Sequence, residues 1–530
     1  KEKQINPILH FGDVELLIHA FRTEFDRIGF HFSDRQIRQA IEQADRVEAE
    51  FRSALFAEGD KFLDRVTRNN EKAYVGIGRD YVLLDPEASS NSGTMFAQVR
   101  GLDYIPQVFL EHKFADVPLD EIVENEFWVQ SVKILKANVY VADHPNLFAI
   151  RMINFACGPD SLKIYQEQHI QQAADKPMLV LLTDAQTNNA PFVTRTEAHE
   201  RVVNQTKPKP LDREKIRMRP KGDSHGRTWL IPYMGDASYV AAAGLRHYGV
   251  DSLVLPTNTE RGYEAARRHI HTEVCHPLKG VVGDAIGFLN EQIEQKGREH
   301  VENNYLVMLP TTSGPCRFGK YTELVRMFMD KEGLARIPVA GPSSETDYFD
   351  IPFPRKLGFW GNMKMQSILF KGINAADLLE DTTLRFRPYA MDPAAVDELK
   401  TRQRLALEKI VENGARTDEL VAWGRQTVEA FKAVDVNGRG RFPLVLYIGE
   451  IYMRQHDSYT DFVVQELQQQ GLEVVRDTVS DWIDYVNKMN LRNAKRDLKL
   501  LARRFDIAGT FHQLGRVIQS VLKGRYMNSI

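Results

Sequence analysis

The sequence predicts an α/β protein built from repeated Rossmann-like, doubly wound parallel sheets, with helical N-terminal and connecting segments. Two observations lead to this fold class. Short apolar runs of strand length alternate with longer runs in which apolar residues recur every three or four positions. The unit of strand, turn and helix recurs along the chain, which is typical of parallel sheets with crossover helices. At 530 residues the chain is too long for a single core, so we expect several such units.

Residues 1–72 are predicted to be a helical N-terminal segment, because apolar residues repeat at helical spacing and Asp34 is placed to cap the second helix. Residues 73–205 are predicted to form the first Rossmann-like domain. Its strand-like runs are "KAYVGIG" (72–78), "DYIPQVFL" (103–110), "ANVYVAD" (137–143), "LFAIRMINF" (147–155) and "PMLVLLT" (177–183).

Residues 206–227 are basic, contain several prolines and have few large apolar side chains. They predict a linker, with a basic arm that contacts a phosphate-bearing ligand as the alternative. Beyond them we predict a second Rossmann-like domain, a helical connection, and a third α/β unit with C-terminal helices. The second domain is residues 228–372, with strand-like runs at 228–234, 251–257, 304–310 and 336–342. The helical connection is residues 373–441. The third unit is residues 442–530 and opens with the buried-strand pattern "FPLVLYIGEIYMRQ" (442–455).

The composition limits the partners and the cellular location that we expect for the protein. The formal net charge of −3 gives no reason to expect a nucleic-acid partner or an acidic membrane surface, and no apolar run is long enough for a membrane span. Three cysteines in a chain of this size do not form a secreted disulfide framework, so we expect a reducing, cytoplasmic location. The first residue is Lys1 rather than methionine, which indicates a processed chain or a piece of a longer protein.

The three cysteines occur on similar turns. Cys157, Cys275 and Cys316 each have a proline within two residues and a glycine nearby, and each precedes a helix-like segment. A thiol at such a turn is favoured as a thiolate by the helix dipole and by unpaired amides, and thiolates bind metals. Three thiolates can hold a cubane iron–sulfur cluster and leave one iron open. Three buried packing thiols are the alternative, because the spacing matches no compact zinc or ferredoxin site. His276 is a fourth-ligand candidate or a packing side chain.

Around these turns the sequence resembles the 2-hydroxyacyl-CoA dehydratase and benzoyl-CoA reductase family. It is most similar to the cluster-binding region of the large acyl-CoA dehydratase activase-related proteins. The "CGPDS", "EVCHP" and "GPCRFGKY" elements carry the resemblance, and similar stretches cover most of residues 74–455 in the family's order. These stretches are residues 78–93, 127–161, 176–202, 229–249, 271–284, 309–321 and 444–455.

The resemblance implies that Cys157, Cys275 and Cys316 ligate a [4Fe-4S] cluster between Rossmann-like domains. It implies an ATP-hydrolysing iron–sulfur activator, as a protein or domain, that supplies low-potential electrons. An acyl-CoA or another small molecule would be the substrate, and the chain would work as a dimer or in a larger complex. The protein would then be a component of an ATP-dependent iron–sulfur reductase or dehydratase.

Two departures from the pattern of the large activase-related proteins bear on the cofactor and on ATP chemistry. "GIG" (76–78) lacks the third glycine and the lysine of a phosphate-binding loop, so ATP chemistry would lie in a partner or in a segment outside this sequence. Three cysteines also favour a single or shared cluster over a double cubane. A non-catalytic electron-relay or scaffold subunit is therefore the alternative function. A third alternative is a protein without a metal, in which the three thiols only pack and which is therefore colourless.

Further residues have both functional and structural interpretations. Arg317 and Glu450 are the candidate catalytic residues, Arg317 as a contact to a cluster sulfide or a substrate carbonyl and Glu450 as a proton donor. The structural alternatives are a buried salt bridge for Arg317 and pairing of Glu450 with Arg454. Helix capping is predicted at two further places in the sequence, by Asp160 and Ser161 and by Thr194, Arg195 and Glu197.

Overall fold

The structure, a computed structural model, describes residues 4–503 apart from several short segments, together with residues 514, 517 and 521. The segments left out are residues 10, 121, 124–125, 155–157, 184–188, 218–223, 258, 271–273, 313–315 and 344–356. The chain divides into two compact units: residues 1–156 with 163–218, and residues 219–530 with 157–162. The segment boundaries that we derived from the sequence stay predictions.

The first unit contains a four-stranded parallel sheet, in the order β2-β1-β3-β4. Its strands are β1 (Ala73–Ile77), β2 (Tyr104–Pro106), β3 (Leu147–Asn154) and β4 (Met178–Thr183). Val75 and Ile77 pack on one face with side chains of α2 and α5, whereas Tyr74 packs on the other face with side chains of α7. Helices therefore cover both faces, which confirms the doubly wound architecture.

Helices α1 and α2 precede this sheet, and the first-unit helices continue to residue 216. They are α1 (Val14–Arg27), α2 (Asp34–Asn69), α3 (Asp80–Leu84), α4 (Glu111–Phe114), α5 (Val129–Asp143), α6 (Pro159–Gln172), α7 (Asn189–Gln205) and α8 (Arg213–Ile216). The cap of α2 is Ser33 rather than the predicted Asp34. Ser33 exchanges hydrogen bonds with Gln36, a capping box that satisfies two amides at once.

One predicted strand of the first unit is wrong, and a second is right only in part. "ANVYVAD" lies inside α5, because Ile134, Ala137 and Val141 recur at helical spacing against the sheet. "DYIPQVFL" forms only the three-residue β2 and then turns into a 3₁₀ helix over Gln107–Leu110. Short apolar segments have no decisive period, so packing decides between strand and helix.

The "GIG" glycines serve close packing. A Cβ atom at Gly76 would lie 2.1 Å from the hydroxyl of Tyr104, and one at Gly78 would lie 2.7 Å from the carbonyl oxygen of Met152. Both distances are far inside van der Waals contact, so these positions accept only glycine. Close packing against the Tyr104 hydroxyl and the Met152 carbonyl oxygen accounts for the two glycines without a phosphate-binding role.

The second unit repeats the same sheet topology, in the order β6-β5-β7-β8, again all parallel. Its strands are β5 (Thr228–Ile231), β6 (Ser252–Val254), β7 (Tyr305–Met308) and β8 (Val339–Ala340). In both sheets the first strand in the chain lies between the second and the third, so the winding direction reverses beside it. In open α/β sheets the ligand crevice lies at the carboxyl ends of the strands at this reversal point.

Long helices follow and pack as a bundle. Helices of the second unit are α9 (Asp236–His247), α10 (Glu260–His269), α11 (His276–Lys296), α12 (Arg298–Asn304), α13 (Tyr321–Lys331), α14 (Gly358–Phe386), α15 (Pro393–Glu412), α16 (Thr417–Lys432), α17 (Ile451–Arg454), α18 (Val463–Gln469) and α19 (Val479–Arg503). Side chains of α9, α14, α15 and α16 share one apolar core around Leu407 and Phe431. The predicted helical connection is thus confirmed as helical. Of the described helices, none is long and apolar enough to cross a membrane.

A separate two-stranded parallel sheet joins β9 (Leu444–Tyr447) to β10 (Glu473–Arg476). The sequence predicts a buried strand here, and this is wrong for one face of β9. Leu444 and Leu446 of β9 are 68% and 63% exposed, and Ile448, just beyond the strand, is 65% exposed. Apolar content alone does not reveal whether a strand has a layer packed on both of its faces.

Candidate functional site

Cys275 is the N-cap residue of α11, and Pro277 lies in the first turn of that helix. The cysteine side chain is buried, with 5% exposure. Its sulfur therefore lies at the positive end of the dipole of a 21-residue helix, where negative charge is stabilised. This is the placement that the sequence predicts for a metal-binding thiol.

Cys316 follows β7 and precedes a 3₁₀ turn over Arg317–Lys320 that leads directly into α13. The side chain is half-buried. Burial raises the pKa of the Cys316 thiol, whereas the backbone N–H of Phe318 and the charge of Arg317 act in the opposite direction. Cys316 thus lies at the carboxyl end of a central strand, beside the reversal point of the second sheet.

Arg317 connects the two cysteine turns. Its Nη1 donates a hydrogen bond to the sulfur of Cys275 at 3.4 Å, and the hydroxyl of Tyr321 lies 4.0 Å from the same sulfur. The arginine that follows one cysteine therefore contacts the other cysteine. A fixed cation beside a sulfur favours its thiolate form.

Glu450 lies at the N-terminus of α17 and accepts a hydrogen bond from the backbone N–H of Met453 at 3.0 Å. Its other carboxyl oxygen, Oε1, is buried and has no hydrogen-bond partner among the described residues. Burial raises the pKa of Glu450. The predicted pairing with Arg454 is wrong, because Arg454 donates to Asp477 at 3.2 Å instead. Glu450 keeps the properties of a proton donor.

An apolar cavity of about 300 Å³ lies at the carboxyl ends of the second unit's strands. Pro232, Pro310 and Pro342 line it just beyond β5, β7 and β8, and α14 and α19 contribute further apolar walls. Phe318, whose amide faces the Cys316 thiol, and Ile451, the neighbour of Glu450, also line the cavity. Its size matches the lower end of small-molecule pockets, and its lining is almost entirely apolar.

The predicted metal trio is only partly within the described residues. Cys157 lies outside them, and so its part in a ligand set stays a prediction. Across the described ranges, no group of three or more histidine, cysteine, aspartate or glutamate side chains is placed to hold a metal ion. His276 packs against the ring of Tyr459 with ring centres 5.9 Å apart, and burial lowers its pKa.

The two predicted capping groups have different outcomes. Asp160 and Ser161 lie inside the first turn of α6 rather than at its cap position, and Ser161 donates to the carbonyl of Gly158 at 3.2 Å, so their predicted capping stays a prediction. The prediction for Thr194, Arg195 and Glu197 is wrong, because all three lie inside α7. A capping sequence inside a helix is a local signal that the longer apolar pattern of α7 overrides.

The sequence interpretation missed a cluster of buried polar side chains next to Cys275. Tyr321 lies 4.0 Å from the sulfur of Cys275, and Asp284 accepts a hydrogen bond from Tyr459 within a buried group that includes Tyr452 and His456. The signal for part of it was present: "EIYMRQHDSYT" after β9 is unusually rich in aromatic and polar residues. The partner aspartate was hidden in the apolar run "GVVGDAIGF".

Comparison with known proteins finds a family match for one part of the chain. Residues 1–108 match the family described as a CoA enzyme activase uncharacterised domain, DUF2229. No curated protein and no solved structure matches the chain. The N-terminal helices and the first two strands of the first unit are thus similar to a domain linked to CoA enzyme activases.

Proposed function

We propose that this chain is the iron–sulfur component of a CoA enzyme activase-related system. It accepts low-potential electrons from an ATP-hydrolysing activator and delivers them to a small substrate. Cys157, Cys275 and Cys316 would hold a [4Fe-4S] cluster, which supplies one-electron transfer when bound. The link of residues 1–108 to CoA enzyme activases supports the type of system.

The observation that carries this proposal is the contact of Arg317 with Cys275. A guanidinium 3.4 Å from a buried sulfur at a helix N-terminus fits a sulfur that carries negative charge. A cysteine that only fills space needs neither the cation nor the helix dipole. Chain topology adds a second argument, because Cys157 follows β3 just as Cys316 follows β7, the equivalent strand of the other sheet.

Glu450 and the apolar cavity are the parts that suit reduction of a substrate. A carboxyl with a raised pKa and an unpartnered buried oxygen holds a proton more readily than an exposed carboxyl and can release it to a reduced substrate. The apolar cavity, which Ile451 lines beside Glu450, suits an uncharged group such as a short acyl chain. A site for electron transfer between proteins needs neither feature.

The test is anaerobic determination of iron and acid-labile sulfide, with electron paramagnetic resonance, on the native chain and on Cys157→Ser, Cys275→Ser and Cys316→Ser. We expect about four irons per native chain and loss of the signal in each variant, because a serine hydroxyl is a poor ligand for this cluster. Arg317→Met should keep the iron but change the resonance, since it removes the cation beside Cys275.

Thr322→Ser is the matched control, because Thr322 is a buried residue of α13 that bonds the carbonyl of Leu309 and carries no thiol. It should retain the full iron content. Anaerobic native protein without iron, or iron that survives all three cysteine substitutions, would refute the cluster.

A relay or scaffold subunit is the second candidate, and the exposed face of β9 favours it. Leu444 and Leu446 are exposed on the parallel strand β9, and Ile448 is exposed just beyond it, where a covering layer is usual. A short-chain acyl-CoA added to reduced protein distinguishes the two functions. A catalytic chain should show a changed resonance that Ala241→Phe, which fills the cavity, abolishes. A relay should show no change in either protein.

A further inference from the structure

The apolar cavity of the second unit has a lining without charge. Its walls come from the loops after β5, β7 and β8, from α9 and α14, and from α19. Of the lining side chains that the structure describes, none is acidic or basic. A charged group that entered the cavity would lose its hydration and gain no ion partner from this lining. The part of a ligand that occupies the cavity is therefore neutral.

The walls of the cavity suit a hydrocarbon. One face of α19 contributes residues at helical spacing: Val479, Trp482, Ile483, Val486, Asn487 and Asn490. Met308, Met363 and Met365 line other parts and are themselves buried. Methionine side chains are flexible and polarisable, so such walls adapt to ligands of varied shape. Protein interiors keep few voids larger than a water molecule, and apolar cavities take up small apolar molecules.

Thr312 supplies a buried polar group to this lining. It lies on the loop after β7, it is 5% exposed, and its Oγ1 has no hydrogen-bond partner among the described residues. Gly319 packs against it, since a Cβ atom there would lie 2.9 Å from Oγ1. Asn487 and Asn490 are only partly buried, so water satisfies their amides. A buried hydroxyl without a partner is costly, and a ligand oxygen beside Thr312 would remove that cost.

We propose that this cavity binds a neutral alcohol or carbonyl compound with a hydrocarbon body. The oxygen of the compound accepts a hydrogen bond from the Thr312 hydroxyl, and the hydrocarbon part extends toward Trp482 of α19. Thr312 precedes Cys316 by four residues, and its hydroxyl acts to lower the pKa of that thiol. The oxygen end of the ligand is therefore the end beside the cysteine turn. The inference rests on the proposed function only in treating this compound as the substrate.

Small residues of α9 set the space for the hydrocarbon part. Ala237 and Ala241 lie one turn apart on this helix, and both line the cavity. A larger side chain at either position would occupy volume that the ligand needs. Ala241→Phe should therefore exclude the ligand, whereas Ala241→Leu should shift the preference toward shorter hydrocarbons.

Trp482 allows a direct test, because it lies in the lining. The probe is ω-bromooctanol, whose bromine quenches tryptophan fluorescence on contact, titrated into the full chain. We expect saturable quenching in the native chain and loss of this component in Trp482→Phe and in Ala241→Phe. The charged counterpart ω-bromooctanoate, at a pH where it is ionised, should bind at least about tenfold more weakly, because the lining offers its carboxylate no ion partner. Equal binding of the two probes to the native chain, or saturable quenching that persists in Trp482→Phe, overturns the site.

A second test concerns Thr312. Thr312→Val keeps the shape and removes the hydroxyl, so it should weaken the binding of ω-bromooctanol by about fivefold and leave that of bromooctane, which has no oxygen, unchanged. Thr383→Val is the matched control, because Thr383 is a buried threonine of α14 that bonds the carbonyl of Leu379 outside the lining. It should change neither affinity. An equal loss for both probes in Thr312→Val overturns the role of the hydroxyl. Absence of iron refutes the proposed function instead, while the quenching still decides on the cavity.

Discussion

Arg151 and Glu167 form a fully buried ion pair in the first unit, with both side chains at 0% exposure and 2.8 Å between Nε and Oε2. Arg151 lies in β3 and Glu167 in α6, the two elements that flank Cys157 in the chain. Asn138 also donates to the same carboxyl oxygen, at 3.2 Å. The pair therefore anchors the strand before the cysteine to the helix after it.

Arg151→Met should destabilise the first unit by about 3–5 kcal/mol, because it leaves the Glu167 carboxylate buried without its cation. That is a large share of the roughly 5–15 kcal/mol that stabilises a typical domain. The double variant Arg151→Met/Glu167→Met should be less destabilised than the single one, since it buries no unpaired charge. Lys61→Met, which breaks an exposed pair with Glu58, should cost about 0–1 kcal/mol.

Hydrogen–deuterium exchange in urea is the suitable assay, since peptides over residues 147–172 report on β3 and α6 separately from the second unit. Faster exchange of these peptides in Arg151→Met, with recovery in the double variant, is the expected pattern. A loss as small as that of Lys61→Met would refute the reasoning that this pair is desolvated and structurally necessary.

Two further predictions concern the second unit. Gly283→Ala should destabilise it by about 1–3 kcal/mol in urea unfolding, because the new methyl would lie 2.4 Å from the carbonyl of Gly262. Gly449→Ala, with open space around the new methyl, is the control and should change little. The second prediction concerns Asp377, where burial raises the pKa to about 6. The folded state then binds more protons than the unfolded state, so this contribution to stability is present at low pH and is lost as the pH rises from about 4 to about 6. Asp377→Asn should flatten the pH dependence of urea unfolding in that window, and an unchanged profile would contradict the raised pKa.

Much of the secondary structure could be predicted because it depends on local pattern. β3 and β4 occur where continuous apolar runs predict them, and α1 and α2 follow the helical spacing of apolar residues. The errors occur where local signals conflict. "ANVYVAD" has strand-forming residues but belongs to α5, since its other apolar residues continue the helical face.

The candidate site could be predicted only in outline. The turns with Cys275 and Cys316 were recognisable from proline and glycine beside a thiol at the start of a helix. The partners of these residues were not, because they come from distant parts of the chain. Arg454 pairs with Asp477 on the loop after β10 rather than with Glu450 one turn away. No spacing rule connects Asp284 with Tyr459, which lies far along the chain.

The amino-acid pattern alone was sufficient for the α/β class, the recurring strand-turn-helix unit and the turns that carry Cys275 and Cys316. Each of these depends on neighbours within one or two helical turns, where propensity and periodicity act directly. The contact of Arg317 with Cys275, the unpartnered oxygen of Glu450, the apolar cavity and the Asp284 cluster required the folded chain. They depend on burial and on contacts between distant segments, and both arise only when the helices and the sheet pack together.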